Sequence, residues 1–251
     1  MKTVLISGAS SGIGKACAER LANDGGYRLI LCGRRSERLI ALKEQLSRKS
    51  PCHSLEFDIR DKDAVAAAIE SLPQEYKDID ILINNAGNAH GLDPIDKGSI
   101  EDWDAMMDIN VKGLLYLTKA VLPILTVKKS GHIINIGSTA GKEVYPNGNV
   151  YCASKHAVDA LNQAMRIDLN QYGIRVGAVH PGLVETEFSE VRFKGDTDRA
   201  ANVYKGFQPL QAEDIADVIS FVLSRPYHVN IADLVIMPTD QASSTIVKKD
   251  L

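Results

Sequence analysis

A tyrosine and a lysine four positions apart, Tyr151 and Lys155, have the spacing of residues that share one face of a helix. A free tyrosine has a pKa of roughly 10, and a fixed cation beside the phenol favours the phenolate and lowers that pKa. The pair therefore predicts a phenol that acts as acid and base near neutral pH. This spacing is common by chance, so the interpretation depends on the elements around it.

A glycine-rich turn follows the first apolar run of the chain. Residues 3–6 have strand length, residues 7–14 read SGASSGIG, and small apolar residues then recur at helical intervals. Strand, glycine turn and helix together predict a pyrophosphate site, because the turn allows close approach and the helix start offers free amides. The glycines are Gly8, Gly12 and Gly14, which is not the common GxGxxG spacing. A plain strand-to-helix turn is the alternative.

Two arginines, Arg34 and Arg35, follow the second predicted strand, residues 28–32. In dinucleotide-binding folds an acidic residue about 20 positions beyond the glycines binds the ribose 2′-hydroxyl of NAD, whereas arginine accommodates the 2′-phosphate of NADP. The arginines therefore predict NADP. Solvated arginines that open a helix are the alternative, although cations at a helix N-terminus oppose its dipole.

Strand and helix patterns alternate along the chain. Further apolar runs of strand length end near residues 57, 83 and 136, with helical patterns between them. This alternation predicts an α/β fold with one domain, residues 1–251, built on a doubly wound parallel sheet with right-handed crossovers. Ligands bind at the carboxyl ends of such strands, where the residues above are expected to lie.

The composition is that of an ordinary globular chain of 251 residues, 45% hydrophobic and 24% charged, with a net charge of -3. Because it has no long basic run, we expect a small-molecule partner and neither nucleic acid nor a membrane surface. The four cysteines lack C-x-x-C spacing and the six histidines do not cluster, so no metal site is predicted. Cys152 is interpreted as a buried side chain, with a reactive thiol as the alternative. Reduced thiols and the lack of a signal-peptide core predict a cytoplasmic protein.

Two long helices are predicted, at residues 99–126 and at about residues 150–172. Apolar residues surround much of the first helix, and the second resembles it. A helix that is apolar on most sides is buried on most sides, so we expect a homo-oligomer, a tetramer rather than a dimer. Burial within one chain is the alternative.

The order of several motifs resembles that of the short-chain dehydrogenases/reductases over essentially the whole chain. The motifs are the glycine turn, Asn84-Asn85-Ala86-Gly87, Asn110 within residues 109–113, Ser138, Tyr151 with Lys155, and Pro181-Gly182. Ser7 stands where the family usually has threonine, a change that keeps the hydroxyl. The resemblance implies a Rossmann-type fold of about seven strands with helices on both faces, and an NADP-dependent enzyme acting on a CH–OH group.

The resemblance also implies residue roles. Ser138 would orient the substrate oxygen, Tyr151 would transfer its proton, and Lys155 would lower the tyrosine pKa and bind the nicotinamide ribose. Asn110 would anchor a water that relays the proton. The implied cofactor-binding residues are Gly8, Ser10, Ser11, Gly12, Ile13, Gly14, Arg34, Arg35, Asp58, Ile59, Asn85, Ala86, Gly87, Asn110, Tyr151, Lys155, Pro181, Gly182, Val184 and Thr186.

Within the family, the chain most resembles NADP-dependent 3-hydroxy acid dehydrogenases that oxidise serine and allo-threonine. The resemblance lies in residues 137–141, 148–151, 186–196 and 228–231. It implies a substrate of the serine, allo-threonine, 3-hydroxyisobutyrate or 3-hydroxypropionate type, or the matching carbonyl. A 3-oxoacyl carrier-protein reductase or broad carbonyl reductase is the alternative enzyme, although residues 234–241 depart from the valine-aspartate-glycine-glycine ending typical of that group. A non-catalytic NADP-sensing protein is the alternative from another class, against which the Tyr-Lys pair argues.

Residues 184–206 are predicted to form a substrate lid, because this family places a mobile segment after Pro181-Gly182. The segment carries Arg192 and Lys194. Since the planar guanidinium of arginine matches a carboxylate bidentately, we expect Arg192 to bind the substrate together with Ser138 and Tyr151. A solvated arginine, or one that pairs with cofactor phosphates, is the alternative.

Overall fold

The computed structural model describes residues 1–250, so Leu251, the end of the predicted domain, lies outside the described residues. The strands are β1 Lys2–Ser7, β2 Tyr27–Gly33, β3 Cys52–Glu56, β4 Ile79–Asn84, β5 Gly131–Ile136, β6 Ile174–Pro181, β7 Val184–Glu185, β8 Leu210–Gln211 and β9 Asp233–Ile236. Seven of them form one parallel sheet in the order β3-β2-β1-β4-β5-β6-β9. Strands β7 and β8 form a separate parallel pair.

Helices cover both faces of the large sheet. They are α1 Gly12–Asp24, α2 Ser36–Leu46, α3 Lys62–Glu70, α4 Ile100–Met107, α5 Leu114–Lys128, α6 Asn149–Leu169, α7 Phe188–Arg192, α8 Thr197–Val203 and α9 Ala212–Ser224. One buried cluster joins the sheet to α1, α2 and α9. A second cluster joins the opposite face to α3, α5 and α6. The predicted doubly wound α/β fold is confirmed.

The central strands are buried on both faces, which explains their continuous apolar sequence. Val4, Leu5 and Ile6 of β1 alternate in direction, and all three are completely buried. The strand order reverses beside β1, because β2 and β3 extend to one side and β4, β5 and β6 to the other. A crevice forms at the carboxyl ends of strands at such a reversal, and ligands of this fold class bind there.

The long helix predicted at residues 99–126 runs from Ile100 to Lys128 and contains one irregular turn. A π-helical turn, Asp108–Gly113, joins α4 to α5. By length and composition this helix could cross a membrane. Its most apolar window is 44% buried within the fold, and the core helices of globular proteins meet the same criterion.

Candidate active site

A cleft of about 560 Å³ lies at the carboxyl ends of the strands, a size suited to a small-molecule or cofactor site. All the predicted site residues line it except Gly14 and Asn110, which pack behind its wall. The cleft is also lined by residues that the motifs did not indicate, among them Asn88, Tyr145, Phe188, Glu187, Tyr204 and Gln241.

The glycine turn has the shape that a dinucleotide requires. Gly8 and Gly12 have φ angles of +65° and +51°, in the region that favours glycine. A Cβ atom on Gly14 would overlap the Gly8 carbonyl oxygen and the side-chain amide of Asn85. The turn therefore packs closely on the end of β4 and leads directly into α1, whose first amides can face a pyrophosphate. The residues present fit the predicted cofactor.

The serine that replaces the family's threonine keeps the hydrogen bonds that join β1 to the end of β4. The Ser7 hydroxyl donates to the Ile83 carbonyl at 3.3 Å and accepts from the amides of Asn85 and Ala86, each at 3.0 Å. The side chain of Asn85 in turn donates to the Ser7 carbonyl at 2.9 Å. The hydroxyl is therefore the part of this side chain that links β1 to the end of β4.

Asn110 lies in the π-helical turn and ties three segments together. Its Oδ1 accepts from the Asn88 amide at 2.9 Å, and its Nδ2 donates to the Asn88 carbonyl at 2.8 Å. The same Nδ2 donates to the Ser154 hydroxyl at 3.0 Å. Asn110 therefore holds the loop after β4 against α6. That Asn110 binds a water which relays the proton stays a prediction.

Ser138, Tyr151 and Lys155 meet on one wall of the cleft. The phenol of Tyr151 lies near the side chain of Ser138, which lowers the pKa of the phenol. Lys155, one helical turn from Tyr151 on α6, donates from Nζ to the Ile136 carbonyl at 2.9 Å. The helical spacing thus places the phenol and the ammonium in the same cleft, as predicted.

The predicted lowering of the tyrosine pKa by Lys155 is wrong for the chain as it stands. Burial raises the pKa of the Tyr151 phenol, nearby Tyr145 adds to the rise, and Ser138 and Arg192 oppose it. Burial also lowers the pKa of Lys155 to about 8. Tyr151 is only 8% exposed and Lys155 only 6%, so loss of water around both groups outweighs their proximity.

His180 supports Ser138 from below, a role that the motifs did not indicate. The ring is completely buried, and its Nδ1 lies 3.3 Å from the Ser138 carbonyl oxygen. Its Nε2 lies 2.8 Å from the Asp233 carboxylate and 3.6 Å from that of Asp159. These residues are far apart in the sequence, so spacing alone could not associate them.

His180, Asp159 and Asp233 bring their potential metal-ligand atoms within 4.8 Å of one another, as in a metal site. The ammonium of Lys142, however, lies between the two carboxylates, 2.8 Å from Asp159 and 2.6 Å from Asp233. Burial, with a contribution from Lys142, lowers the pKa of His180. We therefore describe this cluster as an ion-pair network beneath Ser138.

Arg35 lies at the glycine-turn end of the cleft and is held by several partners. Its Nε donates to the Ser10 hydroxyl at 3.1 Å, and an Nη donates to the Ser11 hydroxyl at 2.5 Å. Its other Nη pairs with Glu187 at 2.9 Å. A further arginine, Arg38, pairs with the second oxygen of Glu187 at 2.6 Å.

Arg34, the other predicted arginine, faces Asp58. Its Nη1 lies 3.7 Å from the Asp58 carboxylate, which Arg60 binds more closely, at 2.6 Å. The hydrogen bonds from Arg60 lower the pKa of Asp58 to about 2. Arg34 therefore has weaker contacts to its neighbours than Arg35 has.

Arg192 projects from α7 toward the phenols. Its guanidinium carbon lies 5.3 Å from the ring centre of Tyr151 and 5.6 Å from that of Tyr145. It donates to the Tyr145 hydroxyl at 2.7 Å and to the Gly91 carbonyl at 3.3 Å. A cation thus stands beside the proposed acid/base, where it could receive a substrate anion.

Several residues of the 184–206 segment line the cleft, and the segment is also bound to residues outside it. Lys194 pairs with Asp102 of α4 at 2.9 Å, and the Arg192 carbonyl accepts from the Gly91 amide at 2.9 Å. The ring of Phe188 packs 5.6 Å from that of Tyr151. This arrangement accounts for much of the burial of the phenol.

Comparison with known proteins gives matches over nearly the whole chain. Residues 2–196 match the family model described as short chain dehydrogenase. An NADP-dependent 3-hydroxy acid dehydrogenase of Salmonella typhi is 45% identical, with 95% of this chain and 96% of that protein covered. Sulfoacetaldehyde reductase 2 of Chromohalobacter salexigens is also 45% identical, with 96% of each covered. The closed form of serine dehydrogenase complexed with NADP+ has a TM-score of 0.92 at 43% identity, with 99% of this chain and 100% of that chain covered.

Proposed function

The chain belongs to the short chain dehydrogenase family, and we propose that it is an NADP-dependent oxidoreductase acting on small 3-hydroxy acids or the matching carbonyl compounds. The family that the motifs predicted is confirmed. Its relatives include an NADP-dependent 3-hydroxy acid dehydrogenase, which supports both the coenzyme and the substrate class.

The observation that carries the proposal is the position of Tyr151. Its phenol and Ser138 line the same wall of the cleft, where Ser138 lowers the pKa of the phenol, and the guanidinium of Arg192 lies 5.3 Å from the Tyr151 ring. A proton-transferring group thus lies between a hydroxyl that can hold a substrate oxygen and a cation that can hold an acid. In a 3-hydroxy acid the carboxylate and the hydroxyl are separated by only two carbons, so one small molecule can reach both groups.

The protein residues supply position, protons and charge, while the nicotinamide of bound NADP supplies the hydride chemistry. Tyr151 accepts the alcohol proton in oxidation and donates it in carbonyl reduction. Ser138 orients the substrate oxygen, and the network around His180 holds the Ser138 backbone. Lys155 binds the nicotinamide ribose, and Asn110 anchors the water that relays the proton.

The residues that would hold the coenzyme are those of the glycine turn together with Arg34 and Arg35, at one end of the cleft. These arginines bind the 2′-phosphate, which favours NADP over NAD. Asp58 and Ile59 contact the adenine. The residues proposed for the remaining cofactor contacts are Gly8, Ser10, Ser11, Gly12, Ile13, Gly14, Asn85, Ala86, Gly87, Pro181, Gly182, Val184 and Thr186.

A sulfonate is the second candidate substrate, because a relative of equal identity is a sulfoacetaldehyde reductase. A guanidinium such as that of Arg192 can bind the oxygens of a sulfonate as it binds those of a carboxylate. A carboxylate and a sulfonate are therefore both candidates for the position beside Arg192 in the cleft.

The working form of the enzyme is proposed to be a cytoplasmic homo-oligomer, a tetramer rather than a dimer. Apolar side chains on the two long helices remain outside the core of the single chain: Leu115 is 38% exposed, Val127 85% and Ile167 75%. A second copy would cover them. The expectations of no nucleic-acid and no membrane partner stay predictions.

The substrate proposal is tested by comparing a 3-hydroxy acid with its methyl ester in wild type and in Arg192→Met. If Arg192 binds the carboxylate, kcat/KM of the variant for the acid should fall by a factor that corresponds to about 1.5 to 3 kcal/mol of transition-state stabilisation, the range for a charged hydrogen bond. The value of kcat/KM for the ester should change little. Arg199→Met, an exposed arginine of the same segment, is the matched control. Equal losses on acid and ester would refute the role of Arg192. Oxidation of isethionate, the alcohol that corresponds to sulfoacetaldehyde, tests whether the enzyme accepts a sulfonate substrate.

A further inference from the structure

We propose that Glu187 is a coenzyme-specificity residue: its carboxylate occupies Arg35 and Arg38, so that it competes with the 2′-phosphate of NADP for these arginines. This inference rests on the proposed use of NADP. It adds an acidic residue of the lid, and a third arginine, to the recognition of the coenzyme.

The contacts join parts of the chain that are distant in sequence. Glu187 follows directly on Thr186, which faces the glycine turn 3.5 Å from a Cβ built on Gly12. The two oxygens of Glu187 are divided between the two arginines, Oε2 with Arg35 at 2.9 Å and Oε1 with Arg38 at 2.6 Å. One carboxylate of the lid therefore bridges the beginning of α2 at the edge of the cofactor cleft.

Glu187 carries its full negative charge at neutral pH. The hydrogen bonds from Arg35 and Arg38 hold the pKa of its carboxyl below the usual range. A phosphate bound beside Arg35 would bring a dianion close to this carboxylate. Because like charges repel and both anions bind the same guanidinium groups, Glu187 weakens the binding of the 2′-phosphate.

A supporting role, in which Glu187 merely orients the arginines for the phosphate, is the opposite possibility. The other contacts of Arg35 argue against it, because the hydroxyls of Ser10 and Ser11 already hold its Nε and one Nη. The guanidinium therefore keeps its place when Glu187 leaves. Removal of the negative charge should strengthen phosphate binding.

The size of the effect is limited by solvent. The side chains of Arg35 and Glu187 are 43% and 41% exposed, so water and salt screen the repulsion. We expect Glu187→Gln to bind a 2′-phosphate about three- to tenfold more tightly than wild type, and the gain to shrink as salt is added.

The test measures the binding of 2′,5′-ADP and 5′-AMP to the full-length protein by titration calorimetry. The difference between these two ligands isolates the 2′-phosphate, without hydride transfer and without substrate. Glu190→Gln is the matched control, because Glu190 is exposed in the short helix α7 that begins directly after Glu187, and it forms no ion pair among residues 1–250.

The inference predicts tighter 2′,5′-ADP binding in Glu187→Gln alone, with 5′-AMP binding unchanged in every variant. Weaker binding of 2′,5′-ADP would show that Glu187 supports the arginines, and unchanged binding would show that it does not face the phosphate; either result overturns the inference. The wild-type preference for 2′,5′-ADP over 5′-AMP tests the proposed coenzyme separately, since it does not depend on the variant.

Discussion

Burial sets the chemistry of Tyr151 and Lys155 more strongly than their proximity does. The i, i+4 spacing was sufficient to predict that both side chains enter one cleft. The rise in the tyrosine pKa could not be predicted, because it follows from burial of the phenol, and Phe188 packs on that ring from a segment distant in sequence. Long-range packing of this kind leaves no local signal.

The lowered pKa of Lys155 predicts a dependence of stability on pH. The group titrates near its ordinary value of 10.5 in the unfolded chain and at about 8 in the fold. The unfolded state therefore binds more protons between these values, and the free energy of unfolding rises with pH across that window. Below about pH 8 the buried ammonium costs on the order of 3 kcal/mol.

Lys155→Met should therefore stabilise the protein without coenzyme at pH 7, and the gain should shrink toward pH 10. Urea unfolding of both proteins at pH 7 and pH 10 measures it. A variant that is less stable by the same amount at both pH values would show that the ammonium is not penalised. Lys119→Met, an exposed lysine on α5, controls for the loss of a charge.

Among the elements, the π-helical turn at Asp108–Gly113 is the feature that sequence periodicity could not reveal. The apolar pattern predicted a continuous helix there, and the helix is continuous from Ile100 to Lys128. The extra residue in one turn changes which side chains face inward, and Asn110 within the turn hydrogen-bonds to Asn88 and Ser154. The short helices of residues 184–206 were also beyond prediction, because only the presence of a lid was implied.

The turn makes Asn110 a structural residue as well as a proposed catalytic one. Asn110→Ala would leave the amide and carbonyl of Asn88 without their partner, and the Ser154 hydroxyl without its donor. We expect a loss of about 1 to 3 kcal/mol in the free energy of unfolding. Urea denaturation, with the exposed Asn170→Ala as control, measures it. A variant as stable as wild type would contradict this reading of the turn.

For the whole molecule, the sheet and its ligand-binding edge could be predicted from the alternation of strands and helices. The glycine turn, Ser138 and Tyr151 all lie at that edge, because the carboxyl ends of parallel strands meet there. The cluster of Asp159, His180 and Asp233 could not be predicted, since three separate elements supply it. The arrangement of subunits in an oligomer likewise cannot be predicted from the apolar pattern of one chain.

The exposed apolar side chains of α5 and α6 give a prediction about assembly. We expect the wild type to form a tetramer, and the double variant Leu115→Glu/Ile167→Glu to form smaller species, because it places charges in the proposed interface. Sedimentation velocity measures both. The exposed Val144→Glu, outside these helices, is the control. A monomeric wild type, or a double variant that assembles normally, would contradict the proposed interface.

The most direct test of the function is kcat/KM for serine, allo-threonine, 3-hydroxyisobutyrate and 3-hydroxypropionate with NADP and with NAD. We predict that at least one of these acids is oxidised, with a clear preference for NADP, and that Tyr151→Phe lowers kcat by at least about 100-fold while coenzyme binding survives. The structurally remote Tyr172→Phe should retain normal activity. No turnover of any 3-hydroxy acid, equal use of the two coenzymes, or near-normal activity of Tyr151→Phe would contradict the proposed function.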